Sequence, residues 1–204
     1  MNACNRGTLG NRMSDSFQGI VTAYINNYRD SAARELRFYV VQKTLADAIQ
    51  RAASCTLPGG NRHGHQRRLP CACLTEANMK LQKKMPAISR ASDFHALYEL
   101  VEQELNPIKG IGDLTIYDIS QRIGAFLKME PSFVYLHAGT REGARFLGVE
   151  YRTRQIELKQ LPDSFYKLRP YEAEDCLCIY KYEIKKIVQQ SASWDRRETA
   201  HASP

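Results

Sequence analysis

The sequence predicts a mainly α chain. It reads as a compact helical domain with a helix-hairpin-helix motif, with room for one short strand or extended segment. Three observations predict this. Apolar residues recur at helical spacing along most of the 204 residues. Alternation of apolar and charged residues is confined to a weak run over 149–159. Between two strongly periodic stretches, Asn106-Pro107-Ile108-Lys109-Gly110-Ile111-Gly112-Asp113-Leu114-Thr115 stops one helix and opens another.

Taken in order, residues 1–14 are rich in Asn, Gly, Arg and Ser and read as a flexible lead-in. Ser16 can cap a helix carrying Phe17, Ile20, Val21, Tyr24 and Ile25. Asp30 or Ser31 starts another, through Leu36, Val40, Leu45 and Ile49 to Ala53. Pro58, Gly59, Gly60 and Pro70 make 55–70 a loop. A helix follows from Thr75 to Lys84, and Ser92 caps the next, whose apolar face is Phe94, Leu97, Val101 and Leu105. The second motif helix carries Ile116, Ile119, Ile123, Phe126 and Leu127, so the motif spans 92–127. Beyond a turn at Met129-Glu130-Pro131-Ser132, a helix fits Leu136 to Phe146, ended by Gly148. A last helix fits Glu172 to Val188. Residues 15–189 thus read as one helical domain, and the polar residues 190–204 as a disordered tail.

Composition narrows the functional classes. Hydrophobic content of 43% with 25% charged residues is ordinary for a soluble globular protein. The apolar runs are too short to span a bilayer and no secretory signal is evident, so a cytoplasmic chain without a membrane partner is expected. The net charge of +7 suits a polyanionic partner. Cysteines lie at 4, 55, 71, 73, 176 and 178. Cys55, His63, His65, Cys71 and Cys73 could surround zinc, but the two-residue gap usual between ligand cysteines is absent. Reduced thiols, no metal and no cofactor are the expectation. The sequence leaves the oligomeric state open.

The hairpin offers backbone N–H groups at a helix N-terminus, where geometry and dipole both favour a phosphate. It resembles the helix-hairpin-helix motif of DNA-repair proteins. The likeness covers residues 92–148, because Val134-Tyr135-Leu136-His137, then Arg141 and Arg145, follow the motif as in the DNA glycosylases of that superfamily. The resemblance implies duplex DNA as partner, contacted by Lys109, Gly110, Ile111, Gly112 and Thr115. It also implies that carbonyls around Ile108 and Ile111 hold a monovalent cation facing the phosphate. Two departures bear on activity. The catalytic aspartate of the family falls on Tyr135, and the lysine nucleophile of its bifunctional members on Leu114. Asp118, one turn into the second motif helix, is the nearest replacement carboxylate.

A second stretch, Arg62-His63-Gly64-His65-Gln66-Arg67-Arg68, combines groups for phosphate contact with groups for proton transfer. A third pairs Gly139 with Gly143 and Arg141 with Arg145, four apart, which serves close helix packing or an anion at the helix start beside His137. Tyr166, Tyr171, Tyr180 and Tyr182 lie among Arg169, Lys181, Lys185 and Lys186, as packing residues or as stacking platforms. Three functions therefore compete. One is a DNA-binding protein without standard glycosylase chemistry, using Lys109 to Gly112, Thr115, Arg62, Arg67, Arg68, Arg141 and Arg145. Another is an enzyme on a nucleotide or nucleic acid, using His63, His65, His137, Tyr135 or Asp118. The last is a catalytically silent interaction subunit.

Overall fold

The computed structural model describes residues 16–201, with side chains described for all of these except His65 and 192–201. It is mainly helical, with a single two-stranded antiparallel ladder among the described residues. Packing divides the chain into two compact units where the sequence pattern shows no boundary inside 15–189. One unit is Asp30–Ser132; the other joins the chain up to Arg29 with the chain from Phe133. The expected lead-in, 1–14, lies outside the described residues.

The Asp30–Ser132 unit is organised on the second motif helix. Residues 16–24 form α1 of the other unit, and the chain passes through a π-helical turn at Ile25–Arg29 into α2 (Asp30–Val40). The helix expected to run from Asp30 to Ala53 is broken: α2 stops at Val40 and α3 (Leu45–Ala53) starts afresh. The break is a capping event. Thr44 is extended at φ −137°, and its hydroxyl accepts from Asp47 N–H at 3.1 Å. Helix α4 (Cys71–Lys83) begins directly after Pro70, four residues before the expected Thr75, and is followed by the short α5 (Met85–Ile88). Helix α6 (Phe94–Leu105) is capped by Asp93, not Ser92. Asp93 Oδ1 accepts from Ala96 N–H at 2.9 Å, and Ser92 serves by donating to Asp93 Oδ2 at 3.0 Å.

Helix α7 (Asp113–Leu127) packs against α2, α3 and α6. Its buried stripe holds Ile116, Ile119 and Ile123, and its Tyr117 ring meets Phe94 edge-on at 6.2 Å. Gly124 lets α6 come close: a Cβ there would meet Met129 O at 2.9 Å and the Phe94 ring at 3.1 Å.

In the other unit, β1 (Val134–Tyr135) pairs with β2 (Gln155–Ile156) in the register Val134 to Ile156 and Tyr135 to Gln155. The 149–159 segment therefore does hold a short strand. Helix α8 (Ala138–Leu147) begins two residues later than expected, after an extended His137 at φ −133°, and Leu136 N–H bonds to Arg154 O beside the ladder. Gly148 ends it at φ +75°. The expected final helix is two: α9 (Pro170–Ile179), with proline at its start, and α10 (Lys181–His201), parted at Tyr180. Of the tail expected from 190 to 204, residues 190–201 are described as helical backbone and 202–204 lie outside the described residues. The core joins Phe17, Val21 and Tyr24 of α1 to Val134, Phe165, Leu177 and Ile184. Gly143 is a packing glycine, since a Cβ there would run into the carbonyl of Leu177.

Candidate nucleic-acid interface

The hairpin is built as its residue types require. After α6, Ile108 N–H bonds to Leu105 O at 2.9 Å and Ile111 N–H to Ile108 O at 3.1 Å. Gly110 stands at φ +100°, a region that other residues enter only with strain. Ile108 and Ile111 point inward and are 3% and 6% exposed. Burial of each side chain is worth about 2 kcal/mol and pins the turn to the core. Lys109, Gly110 and Gly112 face solvent. Gly112 is the N-cap of α7 and supplies no side-chain hydrogen bond to its first turn. A fifteen-residue helix thus presents its positive end beside an exposed lysine, with the carboxylate of Asp113 as the one negative charge in that turn. Thr115 is 8% exposed and belongs to the packed face, and Ile111 offers backbone, not side chain.

The basic loop reaches the hairpin through α4. Arg62 donates from Nη1 to Leu69 O at 2.9 Å and from Nη2 to Cys71 Sγ at 2.9 Å. In the same first turn of α4, the Cys73 thiol donates to Lys109 O at 3.2 Å. Arg62 and Lys109 are therefore fixed to opposite sides of one helical turn. Arg67 and Arg68 are exposed, and an open cavity of about 520 Å³ has Asn61, Arg62 and Arg67 on its walls.

Beneath the loop lies a polar network. Tyr39 donates its hydroxyl to Thr56 O at 2.8 Å, and burial pushes its pKa up, so the phenol keeps its proton. With that proton spent, the Tyr39 oxygen can only accept from His63 Nε2 at 2.9 Å. His63 Nδ1 meets Glu35 Oε1 at 3.2 Å, so both ring nitrogens have partners. Gln66 is fully buried, donates to Asp118 Oδ2, and accepts from Arg122 Nη2 at 3.3 Å. Arg122, 3% exposed, also reaches Asp118 Oδ2 at 3.3 Å. Burial opposes its charge, but Asp118 and its other neighbours outweigh that and hold the guanidinium above its ordinary range. Burial raises the Cys55 thiol likewise.

The remaining sequence candidates sit in the other unit. Tyr135 on β1 and His137, the N-cap of α8, are 2% and 3% exposed. His137 Nε2 faces Glu174 Oε1 at 3.1 Å, and Thr140 donates to the same oxygen at 2.7 Å. Arg141 donates to Leu136 O at 2.7 Å, while Arg145 is exposed over the Phe146 ring at 5.0 Å. His63, Gln66, Asp118 and Arg122 are thus gathered in one unit, and His137 with Glu174 in the other. His65 has no described side chain. Sequence reasoning missed Glu35, Tyr39, Gln66 and Arg122 as a group, and Cys73 as the brace of the hairpin. Among the described residues, no three metal-ligating side chains come together, and no helix is long and apolar enough to cross a membrane.

No family model, curated protein or solved structure matches this chain.

Proposed function

We propose that this protein binds duplex DNA through the phosphate backbone, with residues 109–112 as the contact and the 62–68 loop as its basic flank. The observation that carries this reading is the start of α7. Gly112 caps it without a side chain, and the exposed Lys109 stands beside it. Such an end attracts one backbone phosphate by N–H groups and dipole, and lysine adds a full charge. The net charge of +7 and the exposed Arg67 and Arg68 act in the same direction. The reading agrees with the resemblance to helix-hairpin-helix repair proteins. The monovalent cation implied by that resemblance would sit on carbonyl oxygens around Ile108 and Ile111. Ile108 O already accepts from Ile111 N–H and keeps its second lone pair for such an ion.

The test is titration of a labelled duplex at low and physiological salt. Binding should fall steeply with salt, as counterions released by Lys109 and the arginines demand. Lys109→Glu should weaken binding to all sequences alike, since backbone contacts carry no base information. No binding at either salt would remove the proposal.

A further inference from the structure

We propose that the cavity walled by Asn61, Arg62 and Arg67 takes a phosphate monoester, in first place the terminal phosphate of the nucleic acid strand held at the hairpin. This rests on the DNA-binding reading above. The cavity, about 520 Å³, is of the size that holds a nucleotide-sized ligand.

Its walls are held in shape before any ligand arrives. Thr56 and Arg62 form an antiparallel bridge, closed by Leu57 N–H to Asn61 O at 2.7 Å and by Gly59 and Gly60 at φ +92° and +86°. His63 and Gln66 turn inward to Tyr39, Glu35, Asp118 and Arg122, which leaves the arginines to face out. Arg62 is held by Leu69 O and Cys71 Sγ, and these bonds use two of its five N–H groups. The other three remain for an anion, and no carboxylate stands among the described wall residues. Two such guanidinium groups match the planar fork that phosphate oxygens accept.

The choice of monoester follows from charge and place. A monoester carries about −1.5 to −2 at neutral pH. A backbone diester carries a single charge, so a pair of arginines favours the former. The bonds from Arg62 to Cys71 and from Cys73 to Lys109 tie the cavity wall and the hairpin to the same first turn of α4, on its opposite sides. A strand whose backbone lies on the hairpin can therefore place its end there. A free nucleotide offers the same group.

The experiment compares duplexes of one sequence whose recessed end carries a 5′-phosphate, a 3′-phosphate or hydroxyls only, titrated with the full chain. Adenosine 5′-monophosphate is the small-molecule probe, read by calorimetry. One phosphorylated end should bind about tenfold tighter than the hydroxyl end, the size of one charge-assisted contact. Arg67→Gln should abolish that preference, because Arg67 is an exposed wall residue whose loss leaves the fold intact. Arg68→Gln, its exposed neighbour, should keep it, and Lys109→Glu should weaken every duplex while keeping the ratio. If no duplex binds but adenosine monophosphate binds the wild type and not Arg67→Gln, the cavity stands as a free-nucleotide site and the hairpin reading alone falls. Equal affinity for phosphorylated and hydroxyl ends, with no binding of the monophosphate, overturns the proposal. So does a preference lost equally in Arg68→Gln and Arg67→Gln, which would mean diffuse charge and no cavity.

Discussion

The thiol of Cys73 donates to the carbonyl oxygen of Lys109 at 3.2 Å, and this bond braces the hairpin against the first turn of α4. The same sulfur would lie 3.8 Å from a Cβ built at Gly110. The constraint at Gly110 is thus set by the backbone, with its φ of +100°, and not by lack of room. Gly112 differs: it is extended at φ −112°, and nothing lies within 4 Å of a Cβ there.

Gly110→Ala should therefore destabilise the Asp30–Ser132 unit by about 1–2 kcal/mol, the cost of holding an L residue left-handed. Gly112→Ala, at an extended N-cap with room for a Cβ, should cost less than Gly110→Ala. Urea midpoints of the two variants separate these expectations, and equal midpoints would mean that the turn relaxes freely.

Arg122 is almost fully buried against Asp118 and Gln66. Asp118→Leu strands that charge and should cost about 3–5 kcal/mol. Replacing the pair together, Asp118→Leu with Arg122→Met, should recover part of the loss, because no uncompensated charge then remains while the buried Gln66 amide loses both partners. Chemical denaturation of the single and double variants measures it. A double variant no more stable than Asp118→Leu would show that Arg122 has another buried partner worth as much.

The parts of this fold that were legible in the sequence are those with local causes. Pro107, Gly110 and Gly112 act on their own backbone, and Gly148 does the same at the end of α8, so the hairpin and that helix end could be read directly. The break between α2 and α3 could not. Leu36, Val40, Leu45 and Ile49 keep a passable helical period across it, and the Thr44 cap was masked by that pattern. The polar network depends on pairs such as Gln66 with Arg122, 56 residues apart, which no window of sequence joins. One signal was present. Arg122 follows Ile119 by three residues, on the stripe that α7 buries. A charge on such a stripe calls for a buried partner. Asp118, read from sequence as the nearest spare carboxylate, is half-buried as that partner.

Acid should act on the first motif helix through Asp93. Ala96 N–H, then Ser92 Oγ, hold its carboxyl below the ordinary range. A depressed native value means that the cap's contribution is complete above the unfolded value, near ~3.9, and is lost as pH falls through the native one. Asp93→Asn keeps an acceptor that does not titrate. It should flatten the acid limb of stability without changing the neutral one. A thermal melt series from neutral pH downward reads this out, and identical acid limbs in the two proteins would rule Asp93 out as the titrating cap.

The last expectation concerns chemistry at the positions where the resemblance to helix-hairpin-helix glycosylases would place reacting groups. Tyr135 stands where the resemblance places the catalytic carboxylate, and it is 2% exposed on β1. A phenol stays protonated near neutral pH and cannot stabilise an oxocarbenium-like charge as a carboxylate does. Leu114 falls where the resemblance would put a nucleophilic lysine and has no amine to form a Schiff base. Wild-type protein should therefore release no base from duplexes containing uracil, oxidised or alkylated bases, and borohydride should trap no covalent adduct. The same panel on His63→Ala, His65→Ala, His137→Ala and Tyr135→Phe locates any activity that does occur. His63 is 6% exposed, with Glu35 on one ring nitrogen and Tyr39 on the other. Turnover by the wild type that disappears in His63→Ala would therefore promote that network from anchor to catalyst. Excision that survives all four substitutions would place the reactive group elsewhere and refute the expectation. A silent panel with duplex binding intact would leave the hairpin as the working part of the protein.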